Sequence, residues 1–286
     1  TLIDETRENV HGEEEPYLIF NNVGAWPVQR TADRKQDAVY IEVWPPYDRY
    51  ASIAQLIRDA RTYAKDDKST ILAAYLKPFR EGKREKALPA AKLLMGSIVS
   101  NGATHLLTGE NQTALTQGYY SDYTKFSDSE AEAIRRYYDY MIRYENLFFD
   151  PELQDVTMTH TGWDNYEYQC TNHKVSSYGE AGKIWMILRE KDYRKCIYLL
   201  NLCGQSEDYW NEGKEEPNIQ KDIKFTVQVD TPVEKICFST PDGENMDAIE
   251  LSFTERATKT GKFIDFTVPS LNYWTTIWID TRKETI

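Results

Sequence analysis

Paired cysteines are missing from this chain of 286 residues. Its four cysteines, Cys170, Cys196, Cys203 and Cys237, all lie in the second half and form no C-x-x-C unit. Reduced, buried thiols are expected, and the close spacing of Cys170 and His173 is too little to write a zinc site. No metal and no cofactor is called for. Long apolar runs are missing as well. None approaches the roughly 18 residues a membrane helix needs, and no signal-peptide pattern is present. Positive charge is in deficit: 34 basic residues face 46 acidic ones, a formal net charge of −12. That argues against a nucleic-acid backbone as partner. There is no internal repeat and no low-complexity linker.

What is abundant is aromatic surface, 13% of residues, with 20 Tyr and 7 Trp. Sugars offer apolar C–H faces to aromatic rings and hydroxyls to carboxylates and amides. An acidic, aromatic-rich chain therefore suits a neutral carbohydrate, and it suits a large β core equally. The length allows two cores or one large one. A helical pattern is already under way at Thr1-Leu2-Ile3-Asp4, so the polypeptide is expected to begin further upstream.

The run Ala38-Val39-Tyr40-Ile41-Glu42-Val43-Trp44 reads as a buried strand, β-branched and aromatic, stopped by Pro45-Pro46. Glu42 sits near its C-terminal end, where a charge is costly unless it is paired or hydrogen-bonded. Other apolar runs flank it. Tyr17 to Asn22, Thr70 to Leu76 and Gly102 to Glu110 are expected strands. Tyr47 to Ala64, Ala87 to Ser100 and Ser127 to Phe149 are expected helices, the last with a capping box between Ser127 and Glu130. Strands of this length alternating with helices mean parallel βα units. Four such units make half of a (β/α)8 TIM barrel, whose other half is expected upstream or in another chain. The basic stretch Arg80 to Lys86 is expected to be a solvated loop that tolerates alanine.

After Asp150-Pro151 the periodicity changes. Short strands are expected at residues 183–188, 196–202, 223–229, 235–239, 249–253, 263–268 and 275–279, with Asp242-Gly243 and Thr260-Gly261 as hairpin-like punctuation. The fold class is thus α/β plus all-β: residues 1–149 as the second half of a TIM barrel, 150–286 as an antiparallel β-sandwich.

In such a barrel the chemistry lies at the C-terminal ends of the strands. Those ends would gather Asn21 and Asn22, Glu42 and Trp44, Tyr75, and Gly109, Glu110 and Asn111. Carboxylates, amides and aromatic planes are the means of glycoside hydrolysis, in which one carboxyl group protonates the leaving oxygen and a second attacks carbon or activates water. Each member has a plainer alternative: turn residues for the asparagines, packing for Trp44, a structural pairing with an Arg or a backbone amide for Glu42, and a salt bridge for Glu110. His105, alone in mid-strand, is expected to be a core histidine.

The pieces Phe20-Asn21-Asn22-Val23, Tyr40-Ile41-Glu42-Val43-Trp44-Pro45, Ala73-Ala74-Tyr75, Gly102-Ala103-Thr104-His105-Leu106 and Gly109-Glu110 run in a familiar order. With Tyr144-Glu145-Asn146-Leu147, Leu199-Leu200-Asn201-Leu202 and Pro269-Ser270-Leu271-Asn272-Tyr273-Trp274, they resemble the C-terminal part of family 66 glycoside hydrolases, the endo-dextranases and cycloisomaltooligosaccharide glucanotransferases. The resemblance implies a retaining enzyme acting on α-1,6-glucan (dextran, isomaltooligosaccharides) outside the cytoplasm, with Glu42 as general acid/base. The family's nucleophile is an Asp just before the helix with which this chain begins. It has no counterpart here, and Asp4, Asp33 and Asp37 are misplaced for the role. The barrel half that carries it is therefore an implied partner. The cyclising branch carries a binding module in the second half of the barrel. Lys77 to Gly102 leaves room for a loop and one helix only, which points to the dextranase branch. A glucanotransferase, a non-catalytic glucan-binding fragment and one half of a two-chain enzyme stay open.

Overall fold

β-Branched residues at Val39 and Ile41 fill strand β2 (Ala38–Glu42), in which only Tyr40 escapes full burial. The computed structural model describes residues 1–10, 16–65, 68–118, 124–162 and 165–282. In it β2 lies between β1 (Ile19–Val23) and β3 (Ser69–Ala73), and β4 (Ala103–His105) follows β3. All three pairings are parallel, with Val23 opposite Glu42 and Glu42 opposite Ala73. Helices separate the strands, as parallel connections require. These are α2 (Val28–Thr31), α3 (Tyr50–Ala64) and α4 (Ala87–Ser100); α1 (Leu2–Asn9) precedes β1. On α3, Ile53, Leu56, Ile57, Ala60 and Ala64 form the buried stripe.

The fourth strand is shorter than its apolar run. β4 ends at His105, after which Leu106 N–H gives one more ladder bond to Leu72 O (2.9 Å). Thr108–Gly109 (β5) then leaves the parallel sheet to pair antiparallel with Thr113–Ala114 (β6), which pairs with Thr124–Lys125 (β7). Asn111 and Gln112 take left-handed backbone (φ 54° and 58°) to close that hairpin. The polar end expected to extend the strand forms this small separate sheet instead.

Helix α5 (Asp128–Arg143) starts where the capping box places it. Ser127 N–H donates to Glu130 Oε2 (2.8 Å), and Glu130 N–H donates to Ser127 Oγ (3.3 Å). The one-turn α6 (Glu145–Phe148) follows. Two compact units divide the chain: Thr1–Ala133 with Tyr209–Gly213, and Ile134–Asp208 with Lys214–Ile286. The division thus falls inside α5, and five residues from the second half of the chain belong to the first unit.

The second unit contains β8 (Gln154–Asp155), β9 (Tyr168–Cys170), β10 (Val175–Ser176), β11 (Ile184–Lys191), β12 (Arg194–Asn201), β13 (Gln220–Val229), β14 (Val233–Ser239), β15 (Ile249–Leu251), β16 (Phe253–Thr258), β17 (Gly261–Leu271) and β18 (Trp274–Thr281). One sheet runs β10-β11-β12-β18-β14-β15 with β8 on β11; the other runs β16-β17-β13-β9. Alternate residues face a shared core. Ile184, Met186 and Leu188 enter it from β11 and Ile277 and Ile279 from β18, to meet Phe225 and Val227 of β13 and Ile264, Phe266 and Val268 of β17. The opposite face of β11, β12 and β18 is buried too. There Tyr140 and Phe148 pack on Trp274 (ring centres 5.0 and 5.2 Å apart), and Tyr144 packs on Trp278 (5.6 Å). A helix layer on one sheet explains why these strands are apolar on both sides.

Candidate active site

Glu42 is the last residue of β2 and is 5% exposed. Its backbone is held from both sides: Gly24 N–H donates to Glu42 O (2.9 Å), and Val43 N–H donates to Ala73 O (3.1 Å). Strand alternation places Trp44 on the same side as Glu42, two residues on. Tyr75 stands two residues past Ala73, the register partner of Glu42. Both aromatics therefore reach its carboxylate. Trp44 Nε1–H donates to Oε2 (3.1 Å) and Tyr75 OH donates to Oε1 (3.0 Å). The two rings lean together, with centres 5.8 Å apart and planes at 54°.

Among the described residues Glu42 has no cationic partner; its hydrogen bonds come from these two neutral donors. Among the described residues neither an Arg nor a backbone amide bonds to its carboxylate. Burial, together with hydrogen bonds to Tyr40 and Glu42, raises the Tyr75 hydroxyl well above an ordinary phenol, so it remains a proton donor. Gly118 lies over the group. A Cβ there would meet Trp44 Cζ2 and Tyr75 Cε2 at 3.3 Å and Glu42 Oε1 at 3.7 Å. The loop bearing Gly118 is tied down by Leu76 N–H to Leu115 O (3.1 Å) and Leu115 N–H to Leu107 O (2.8 Å).

Beside the carboxylate is a cavity of about 430 Å³. Trp44, Tyr47, Tyr75, Arg80, Gln117, Gly118, Trp210 and Asn211 are in its wall, and Glu42 lies behind Trp44, Tyr75 and Gly118. Two depressions of 530 and 590 Å³ occur on the antiparallel unit. In the first Asp265 is paired with Arg256 (2.8 Å), and in the second Glu190 is paired with Lys195 (3.0 Å).

The structure thus brings Glu42, Trp44 and Tyr75 together. Asn21 is exposed on β1. Asn22 is fully buried: its Nδ2 donates to Tyr40 O (2.8 Å) and its Oδ1 accepts from Thr31 Oγ1 (2.6 Å), which ties β1 to β2 and α2. Gly109 ends β5, and Glu110 and Asn111 are exposed in the hairpin turn that follows. The cavity wall takes its residues from further along, at Thr116–Gly118. His105 is a core residue: fully buried, with Nε2 3.0 Å from Ala74 O, its pKa lowered by burial to about 4. The acidic residues dismissed as nucleophiles are occupied elsewhere. Asp4 caps α1 and accepts from Lys35 N–H (3.0 Å), Asp33 pairs with Arg34 (3.4 Å), and Asp37 pairs with Arg7. Sequence reasoning missed Trp210 and Asn211. The signal was present as an aromatic pair, Tyr209-Trp210, in an otherwise polar stretch.

A family model described as "Glycosyl hydrolase family 66" matches residues 2–278, nearly the whole chain. The chain belongs to glycosyl hydrolase family 66. Two curated proteins of Niallia circulans, each named cycloisomaltooligosaccharide glucanotransferase, are similar to it. One is 28% identical over 193 residues and the other 27% over 191, each alignment covering 66% of this chain. The chain aligns with only 19% of the length of either relative. A solved structure, a cycloisomaltooligosaccharide glucanotransferase of Paenibacillus sp. complexed with cycloisomaltoheptaose, superposes with a TM-score of 0.85 at 15% identity. That match covers 96% of this chain and 58% of the other, and shows a shared fold. Among the described residues, no helix of this family 66 chain is long and apolar enough to cross a membrane.

Proposed function

We propose that this family 66 chain is part of a retaining enzyme that cleaves α-1,6-glucosidic bonds of dextran, with Glu42 as general acid/base. The observation that carries the reading is a buried carboxylate at a strand end, held by Trp44 and Tyr75 without a cation. In this reading the four parallel strands are half of a (β/α)8 barrel. The two antiparallel sheets are its β-sandwich domain. The nucleophilic Asp is supplied by the other barrel half, upstream or in another chain. Glu42 gives its proton to the departing glucosyl oxygen as the C1–O bond breaks and the Asp carboxylate bonds to C1. Glu42 then takes a proton from water as that water attacks C1 and frees the Asp.

Trp44 and Tyr75 border the reacting sugar, and exposed Asn21, Glu110 and Asn111, with Gly109, contact more distant glucosyl units. Asn22 enters as a support of β1. A polymeric substrate places the enzyme outside the cytoplasm. Hydrolysis is favoured because Lys77 to Gly102 contains only two single-turn helices and α4, with no inserted module. The second reading, transglycosylation, is favoured by the names of the relatives. It differs only in the acceptor, a glucosyl hydroxyl in place of water.

The test is Glu42→Gln in the full-length protein. The amide keeps shape but has no proton to transfer, so turnover of dextran should fall by about 10²–10⁴ with the melting temperature kept. On an α-glucosyl substrate with a nitrophenol leaving group the first step should proceed, and slow breakdown of the intermediate should give a burst. Near-normal dextran turnover would sink the assignment. Linear against cyclic products from wild-type protein separate the two readings.

A further inference from the structure

The donors of Glu42 lie on loops beyond the ends of β2 and β3; the second is held in part by Leu76 N–H to Leu115 O (3.1 Å) and by His105 on Ala74 O (3.0 Å). Trp44 begins a loop in which Pro45 and Pro46 have no N–H to give. Its internal bonds are turn bonds, Tyr47 N–H to Trp44 O (3.1 Å) and Asp48 N–H to Pro46 O (3.0 Å). Tyr75 lies beyond the end of β3, just before the single-turn helix Lys77–Phe79.

Both loops are fastened by the same five residues, Tyr209–Gly213, which lie between β12 and β13 in the sequence and belong to the first unit in space. Trp210 N–H donates to Asp48 O (3.0 Å), and its indole Nε1–H donates to Tyr47 O (2.6 Å). Arg49 Nη2 donates to Tyr209 OH (2.8 Å), with the guanidinium 4.3 Å from that ring's centre. On the other loop, Lys77 N–H donates to Asn211 Oδ1 (2.9 Å) and Lys77 Nζ pairs with Glu212 (2.5 Å). Trp210 is 3% exposed, the anchor of the segment. Gly213 closes it where a Cβ would come within 2.8 Å of Lys86 Cβ.

We infer that Tyr209–Gly213 is a clamp that sets the positions of Trp44 and Tyr75 on Glu42, with Trp210 and Asn211 as positioning residues for the acid/base step. Trp210 grips the Trp44 loop and its neighbour Asn211 grips the Tyr75 loop, so the segment ties the two loops to each other beyond the ends of their strands. The inference rests on Glu42 being the acid/base. A misplacement of about 1 Å at a catalytic group costs on the order of 10²-fold in rate, so a displaced donor pair is visible in turnover.

Trp210→Phe removes the bond to Tyr47 O but keeps an aromatic ring; Asn211→Ala removes the bond from Lys77 N–H. Both are made in the full-length protein, with Glu42→Gln in the same series. Each is assayed on an isomaltooligosaccharide, whose leaving oxygen needs a proton, and on a nitrophenyl α-glucosyl substrate, whose leaving group needs almost none. The clamp predicts a loss of about 10- to 100-fold in kcat on the oligosaccharide, with the burst phase on the activated substrate little changed. Loss on both substrates alike, or on neither, overturns it. If Trp210→Phe fails to fold, Asn211→Ala decides alone, because it truncates only a loop side chain. The Glu42→Gln arm separates two failures. Absence of selective loss there sinks the acid/base reading, whereas selective loss there without it in the clamp variants sinks the clamp only.

Discussion

Aromatic side chains have opposite duties in the two units. In the second they are core. Tyr140, Phe148, Tyr198 and Trp274 are at most 0% exposed, and the tyrosine hydroxyls donate to backbone carbonyls, Tyr140 to Ser239 O (3.0 Å) and Tyr144 to Met246 O (2.6 Å). The rings pack on one another and these tyrosine hydroxyls are satisfied by main chain, as burial of tyrosine requires. In the first unit Trp44 and Tyr75 direct their polar tips at a carboxylate and their rings at a cavity. The edges differ as well. β1, an edge strand of its sheet, leaves Ile19 and Val23 nearly half exposed. The 13% aromatic content therefore reports two things at once. A large share of it is buried in the second unit, and only a few residues border the cavity beside Glu42.

That contrast breaks first at Trp274. Its ring meets Tyr137, Tyr140 and Phe148 at centre distances of 5.9, 5.0 and 5.2 Å. Trp274→Ala should cost about 3–5 kcal/mol, the usual range for deleting a buried tryptophan, read by denaturant unfolding. Tyr75→Phe should behave in the opposite way, with a drop of about 10-fold or more in oligosaccharide turnover, as expected for a disturbed acid/base, and a far smaller change in unfolding midpoint. A Tyr75→Phe protein as active as wild type would make Tyr75 a core residue like those of the second unit.

His105 sharpens the comparison by pH. Burial lowers its pKa from 6.5 to about 4, so the folded chain holds it neutral while the unfolded chain protonates it below 6.5. The unfolded state then binds more protons between those values. Stability from this group is full above pH 6.5 and is lost as pH falls toward 4, by about 3 kcal/mol at 1.36 kcal/mol per pH unit. Carboxylates with lowered pKa, such as Asp4 at about 2, lose their contribution at more acid pH, as it falls below the unfolded value of 3.8. His105→Gln keeps a donor for Ala74 O but cannot titrate. The difference between the two stability profiles should change by about 3 kcal/mol between pH 7 and pH 4, with wild type losing ground to the variant as pH falls; parallel profiles would mean that His105 is not held neutral by the fold.

Local patterns carried the fold far. The Glu42 strand is a continuous apolar run, the Ser127–Glu130 capping box is an offset of three, and the alternation in β13 and β17 has a period of two, all of which a single sequence displays. What stayed hidden were contacts between segments with no period. Trp210 meets Tyr47 across 163 positions, from a loop with no pattern to announce it. The Gly109–Asn111 stretch looked like a strand end because it is polar after an apolar run. The ladder had already stopped at His105, and the hairpin carried the chain on to Thr116–Gly118. Trp44 and Tyr75 were legible as strand-end residues, but their convergence on one carboxylate depends on register, which pattern alone does not supply.

The smallest effect concerns Arg80 to Lys86, which as a basic run reads like solvated charge. The structure corrects this for Arg84. Its guanidinium pairs with Glu130 through two bonds, Nε to Oε1 (2.9 Å) and Nη2 to Oε2 (2.7 Å), donates to Lys125 O (2.9 Å), and lies 5.0 Å from the centre of the Phe79 ring. Glu130 is 8% exposed, and it also accepts from Ser127 N–H at the start of α5. Removing the guanidinium leaves a largely buried carboxylate without its cation, whereas Lys83 is exposed and has no such partner among the described residues. Arg84→Ala should cost about 1.5–3 kcal/mol, the range for hydrogen bonds to charged groups. Lys83→Ala should stay within about 0.5 kcal/mol, as surface changes usually do. Arg84→Lys keeps the charge but not the fork, so it should recover only part of the loss. If all three variants unfold together with wild type, the Arg84–Glu130 pair is a surface contact of no consequence, and the run behaves as the solvated loop its composition suggests.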